Sequence, residues 1–212
     1  MSIAPGFTNR LIHLLTGSVL GLSISLNGFA EIDRATLARL SESLVKVQVS
    51  TSQGGMGVGT GVVIAPGKVI TNCHVTKEAD RIQLVQEGVQ WDVTGMAPDM
   101  HHDLCLLTVS RLNLPAIRIG SASKLRVGDE VAAAGFAFGG RAHFSQGNVH
   151  GLYAFDNSRV VRTSAQFAPG DSGGALIDRD GNLVGINSFF SGGKNSFFAV
   201  PVDWFVDRIA NM

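Results

Sequence analysis

The chain has 212 residues, 45% of them hydrophobic and 16% charged, and its formal charge is zero. That balance excludes a disordered chain, and the lack of any lysine or arginine run excludes the electrostatic footprint of a nucleic-acid binder. Its 26 glycines are spread among short apolar segments, which points to many tight turns between strands.

Residues 1–30 read differently from the rest. Arg10 precedes the uncharged run LIHLLTGSVLGLSISLNGFA, which closes on small residues before Glu31; this is the layout of an export signal. Gly28 and Ala30 occupy the small-residue positions of a cleavage site, so a mature chain starting near Glu31 is expected, periplasmic or secreted. A run of about 20 apolar residues could also span a bilayer as an uncleaved anchor, but Asn27, the glycines and the serines weigh against it. Membrane contact is expected only through this segment.

EIDRATLARLSESL, residues 31–44, spaces Ile32, Leu37, Leu40 and Leu44 at roughly helical intervals and predicts a short amphipathic helix. Strand signals follow. VKVQVS alternates, GTGVVIAPGKVITN gives two apolar runs joined by Pro-Gly, and RIQLVQ, QWDVTGMA and DLCLLTVS continue to about residue 110. A stretch without period, RLNLPAIRIGSASKL, leads into a second series: DEVAAAGFA, AHFSQGNVHGLY, RVVRTSA, GGALID, LVGINSFF and FFAVPV, separated by turns such as RDGN. Trp204, Phe205 and Ile209 in VDWFVDRIANM suit a terminal helix. Two runs of about six short strands, with no alternating helices, predict an all-β architecture of two barrels or one sandwich.

PGDSGGAL, residues 169–176, sets three glycines around Ser172 just ahead of a strand-like run. A turn explains the glycines; so does a loop that presents a nucleophile. A hydroxyl needs a base and a group to orient that base. ITNCHV places His74 after an apolar strand, HHDLCLL places Asp103 before another, and the order His, Asp, Ser is one known solution of the triad.

GTGVVI, ITNCHV, DLCLLTV, LRVGDEVAAAGFAFG, PGDSGGALID, GNLVGIN and FFAVPV occur in the order and spacing of the trypsin-like serine peptidases, and the chain resembles most their bacterial HtrA (Deg) branch, over about residues 45–205. The resemblance implies two six-stranded antiparallel β-barrels, over 45–115 and 116–212, with the active site in the cleft between them. It implies His74 as general base, Asp103 as the acid that orients it, Ser172 as nucleophile, and the N–H groups of Gly170 and Ser172 as an oxyanion hole. Glycine at 170 frees the peptide to turn, and a side chain there would obstruct substrate; Gly173 and Gly174 would permit close approach of neighbouring backbone.

The expected reaction is acyl transfer on protein or peptide substrates, needing no metal or organic cofactor. Activity should fall on acidification as His74 takes up a proton, so a profile flat between about pH 5 and 8 would contradict that role. An extended substrate would add as a strand along Ser188, Phe189 and Phe190. By analogy of position, Gln166 and Phe167, with Ser188, Phe189 and Phe197, line the specificity pocket; no carboxylate is present there, and small aliphatic residues are the expected choice. The alternative, from another class, is a catalytically silent peptide-binding or chaperone module.

Asp171 departs from the digestive members of the family, since no Ile-Val-Gly-Gly-like start is present upstream to give it an ammonium partner. The resemblance stops near residue 205, so control through a PDZ domain is not expected. His101 and His102 invite a metal reading, but adjacent residues on an extended chain point to opposite faces, so two surface histidines are expected. Cys73 and Cys105 flank His74 and Asp103, and both a disulfide and two buried thiols fit, because bonding needs Cα atoms within about 7 Å. The sequence sets no oligomeric state.

Overall fold

The computed structural model is described over residues 31–191 and 196–210 together with residue 1, the side chains of 190, 191 and 207–210 excepted. The expected export signal, apart from Met1, and the side chains of Phe190 and Ile209 therefore lie outside the described residues. The chain divides into the units Met1–Ala30 and Glu31–Met212, and the second carries every described helix and strand.

The first helix, α1 (Arg34–Glu42), is shorter than the apolar spacing predicts, because both ends are capped. The Asp33 carboxylate accepts the Thr36 N–H at 2.9 Å and the Thr36 hydroxyl at 2.8 Å, satisfying a donor that a helix start leaves unpaired. Ser43 closes the other end, and Leu44, expected in the helix, is instead the first residue of a strand.

Six strands make the first barrel: β1 (Leu44–Ser50), β2 (Met56–Ala65), β3 (Lys68–Thr71), β4 (Arg81–Gln86), β5 (Val89–Asp99) and β6 (Leu104–Val109). Six more make the second: β7 (Glu130–Gly135), β8 (His143–Phe155), β9 (Ser158–Thr163), β10 (Ala175–Asp178), β11 (Leu183–Ser191) and β12 (Ser196–Pro201). Each is antiparallel and closed, in the orders β1-β2-β3-β6-β5-β4 and β7-β8-β9-β12-β11-β10, so both halves have the same topology. This is the chymotrypsin-like double barrel. The β2–β3 turn is built by Pro66 and by Gly67, whose φ of +68° is what the third residue of a Pro-Gly turn requires.

Near-continuous apolar runs such as GVVIA and VAAAG are explained by burial on both faces. Alternate residues of a strand point to opposite sides. Val63, Val69 and Leu107 fill the first barrel with Val45, Val47 and Leu84, whereas their neighbours Val62, Ile70 and Leu106 face outward into a core shared with Ala132, Ala134, Ala175, Ile177 and Ile186 of the second. Val131, Ala133, Val149, Val161, Leu176 and Val184 fill the second barrel. The terminal helix, α3 (Asp203–Ala210), buries Phe205 in the shared core. Among the described residues, no helix is long and apolar enough to cross a membrane.

Candidate active site

His74 sits on α2 (Cys73–Thr76), a single helical turn that follows β3 after Asn72. Asp103 directly precedes β6 with φ +56°, a left-handed conformation that aspartate tolerates better than most residues. Its carboxylate grips His74 twice: Oδ1 accepts the backbone N–H at 2.9 Å and Oδ2 lies 2.7 Å from Nδ1. A carboxylate can only accept, so Nδ1 carries the proton and Nε2 presents its lone pair. The Ser188 hydroxyl donates to the same Oδ2 at 2.9 Å. Burial alone would push the Asp103 carboxyl up, but the hydrogen bonds from the His74 ring and backbone, the imidazole charge and the Ser188 hydroxyl outweigh it and hold the group below the ordinary aspartate value.

Asn72, wholly buried, ties three segments together. Its Nδ2 donates to the Asp103 carbonyl at 2.9 Å, and its Oδ1 accepts the Gly173 N–H at 2.7 Å. Beside it, Cys73 and Cys105 form a disulfide with Cα atoms 4.9 Å apart, which resolves the two readings of that pair. The bond closes a loop across a separation of 32 residues, worth roughly 3–4 kcal/mol in chain-entropy terms.

The glycines of the loop carrying Ser172 pack closely against backbone. Gly170 has φ +99°, and a Cβ there would lie 2.6 Å from the Phe136 carbonyl oxygen and 2.8 Å from the Phe138 nitrogen. A side chain at 170 would thus clash with the protein's own chain. A Cβ on Gly173 would come within 2.1 Å of the Thr60 carbonyl oxygen. Thr60 reaches across from β2: its hydroxyl donates to the Gly170 carbonyl at 2.7 Å and accepts the Phe136 N–H at 2.9 Å, while its N–H donates to the Ser172 carbonyl at 2.8 Å. The Phe138 N–H holds the Pro169 carbonyl at 2.6 Å. Because C=O and N–H point opposite ways across a trans peptide, this turns the Gly170 N–H away from Phe138. Among the described residues, the N–H groups of Gly170 and Ser172 have no acceptor.

The Ser172 hydroxyl donates to the Ser188 carbonyl at 3.3 Å; among the described residues it has no hydrogen bond to His74, and the His74 Nε2 has no partner. Asp171 does have a neighbour that the sequence did not point to. Its buried Oδ2 accepts the Ala168 N–H at 2.7 Å, and its Oδ1 lies 3.3 Å from Nδ1 of His143, at the start of β8, without hydrogen-bond alignment. Burial pushes the Asp171 carboxyl up, opposed by the Ala168 N–H, the His143 charge and the Ala137 N–H.

The residues assigned to the specificity pocket differ in burial and in partners. Phe167 is buried and its ring lies 5.1 Å from that of Phe197, both packed on the core of the second barrel. Phe189 is half exposed and stacks on Phe198 at 4.8 Å. Gln166 is exposed, its N–H held by the Ser145 hydroxyl at 2.8 Å. The Ser188 hydroxyl points to Asp103, and its carbonyl accepts the Ser172 hydroxyl. A bulge between Asn187 and Phe189 accounts for that direction. Strand β10 covers β11 only as far as Ile186, so beyond Asn187 β11 is laddered on the β12 side alone, leaving an edge.

His101 and His102 do not point to opposite faces. Residues 100–103 form a turn rather than a strand, and both rings reach one carboxylate oxygen, Oδ2 of Asp156, at 2.7 and 3.2 Å.

Residues 59–186 match the trypsin-like peptidase domain. The chain is 30% identical over 154 residues to a DegP-like periplasmic serine endoprotease of Chlamydia pneumoniae, covering 68% of this chain and 32% of that protein. It is 34% identical over 159 residues to the periplasmic serine endoprotease DegP of Salmonella typhimurium, covering 69% and 34%. It therefore spans about a third of the length of these curated relatives. Among solved structures, the HtrA-type protease AlgW with tripeptide superposes with a TM-score of 0.75 at 27% identity, over 83% of this chain and 62% of that one. The active form of the Rv3671c protease from M. tuberculosis shares the fold, with a TM-score of 0.77 at 20% identity over 99% and 93% of the two chains. With the matched domain covering more than half of its residues, the chain belongs to the trypsin-like peptidase family, and its domain is of the HtrA/Deg type.

Proposed function

We propose that the protein is an exported serine endopeptidase in which Ser172 attacks the substrate carbonyl, His74 takes its proton and Asp103 holds the imidazole. The observation that carries this reading is the double grip of Asp103 on His74, at 2.9 and 2.7 Å, which leaves Nε2 as the basic atom. Asn72 brings the serine loop to the same place through Gly173. On this reading another staggered rotamer of the Ser172 side chain would take its hydroxyl from Ser188 to Nε2; catalytic hydrogen bonds commonly form only with substrate bound.

As Oγ bonds to the carbonyl carbon, its proton passes to Nε2, and the carbonyl π electrons move onto the oxygen, which the Gly170 and Ser172 N–H groups receive. Collapse expels the amine, protonated from His74, and water hydrolyses the acyl-enzyme by the same steps in reverse. The β11 edge from Ser188 supports strand addition by substrate. Phe167 and Phe197, packed together, support a shallow apolar pocket and small aliphatic residues before the scissile bond. The periplasmic names of the relatives, together with the apolar leader, support export to the periplasm or beyond.

The Ser172 hydroxyl, bonded to Ser188 rather than to His74, favours one second reading, a peptide-binding module without turnover. A fluorophosphonate separates the two. Labelling that disappears in Ser172→Ala, with peptide hydrolysis lost in parallel, is expected; a wild-type chain that binds peptide yet takes up no label and cleaves nothing would leave only the silent module. A cleavage profile dominated by lysine and arginine would overturn the pocket assignment alone.

A further inference from the structure

We propose that His101, His102 and Asp156 form a divalent-metal site of Zn²⁺ type that clasps the loop leading into Asp103 to the β8–β9 turn of the second barrel. Three ligand atoms, one from each residue, lie within 4.8 Å of one another. Oδ2 of Asp156 is 2.7 Å from His101 Nε2 and 3.2 Å from His102 Nε2. A tetrahedral zinc ion with bonds of about 2.0–2.2 Å sets its ligand atoms roughly 3.4 Å apart. Only small side-chain shifts separate the observed triangle from that figure, and His101, with 64% of its side chain exposed, is free to make them.

The surroundings look built to hold a cation. His102 meets carboxylates at both ring nitrogens: Nδ1 lies 2.8 Å from Asp99 Oδ2, and Nε2 faces Asp156. A neutral imidazole can donate at only one of them. With the proton on Nδ1 and directed at Asp99, the Nε2 lone pair confronts a carboxylate oxygen, and something positive must stand between them. Carboxylate, histidine and metal in that sequence are how ligating imidazoles are usually oriented. The ring is fixed further by stacking on Trp204, with centroids 4.2 Å apart, and the Trp204 Nε1–H donates to the Asp156 carbonyl at 2.8 Å. The imidazole pair disfavours the all-oxygen cations and suits zinc, with three protein ligands and a fourth position open to water.

His102 is bonded in sequence to Asp103, so an ion at this site would tie the position of the triad carboxylate to the second barrel without touching the reacting atoms. The test uses the full chain, untagged, stripped of metal and titrated with Zn²⁺ against a chromophoric chelator. One equivalent per chain is expected, with a rise of several degrees in the unfolding midpoint. His101→Ala and the near-isosteric Asp156→Asn should each weaken binding by about 100-fold or more, and Asp99→Asn by about 10–100-fold. His74→Ala should leave it unchanged. Three results would overturn the site: no bound equivalent in the wild type, undiminished affinity in both His101→Ala and Asp156→Asn, or loss of binding in His74→Ala, which would move the ion to the triad. In the first case a proton, not a metal, bridges His102 and Asp156.

Discussion

The two barrels secure their shares of the candidate site by different means. The first holds His74 and Asp103 with a covalent bond, Cys73–Cys105, set between their two segments, and with a carboxylate that grips backbone and ring together. The second holds Ser172 with no covalent link. Its loop depends on a buried carboxylate, on glycines that let backbone meet backbone, and on Thr60 and Asn72, both supplied by the other barrel. His74 is thus fixed locally, whereas Ser172 is fixed by contacts between barrels, and the second arrangement has more ways to fail.

Asp103→Asn should break the first arrangement hardest. The Asn side chain can keep the shape but not the charge or the acceptor pattern, and kcat is expected to fall by about 10⁴ through the wrong imidazole tautomer. A fall below tenfold in peptide hydrolysis would show that Asp103 does not orient His74. Gly170→Ala tests the second arrangement. With φ +99° and a Cβ 2.6 Å from the Phe136 oxygen, the loop must shift and carry the Gly170 N–H with it, so a loss of about 10²–10³ in kcat is expected. Unchanged kcat would remove that N–H from the proposed oxyanion hole.

Replacing Cys73 and Cys105 together by alanine sharpens the contrast. Denaturant unfolding should show about 2–4 kcal/mol less stability, while the folded fraction keeps its kcat, because Asn72 and the Asp103 carboxylate still join the two segments. A kcat that drops in step with Gly170→Ala would mean that the covalent link, and not the polar network, positions His74.

What was legible in the sequence tracks the range of the interactions. GTGVVIAPGKVITN reads as a hairpin because alternation and Pro-Gly are local signals, and it becomes β2 and β3. His74, Asp103 and Ser172 stand out because their motifs are contiguous. Thr60 and Asn72 lie inside the motifs GTGVVI and ITNCHV, but nothing local names their partners; their bonds to Gly170 and Gly173 span 110 and 101 residues, and only the closed fold makes them neighbours. His143 is hidden for the same reason. The histidine pair misleads in another way: alternation presumes extended backbone, and the chain turns at Met100–Asp103.

His143→Ala should give the smallest change, and its sign is fixed by Asp171. Burial raises the Asp171 carboxyl above its ordinary value, while the Ala168 N–H, the charge of His143 and the Ala137 N–H pull the other way. A carboxyl raised in this manner holds its proton more tightly in the folded chain than in the unfolded one. It therefore costs no stability below the ordinary aspartate value and progressively more as pH rises through the raised one. Losing His143 moves the folded value further up and deepens that cost. With 40% of the His143 side chain exposed, solvent screening keeps the difference below about 1 kcal/mol. Urea midpoints of wild type and His143→Ala, followed from about pH 3 to about pH 6, should coincide at the acid end and separate as Asp171 ionises. A gap widest at the acid end would reverse the sign, and His143 could not then be the group that offsets the buried carboxylate beside Ser172.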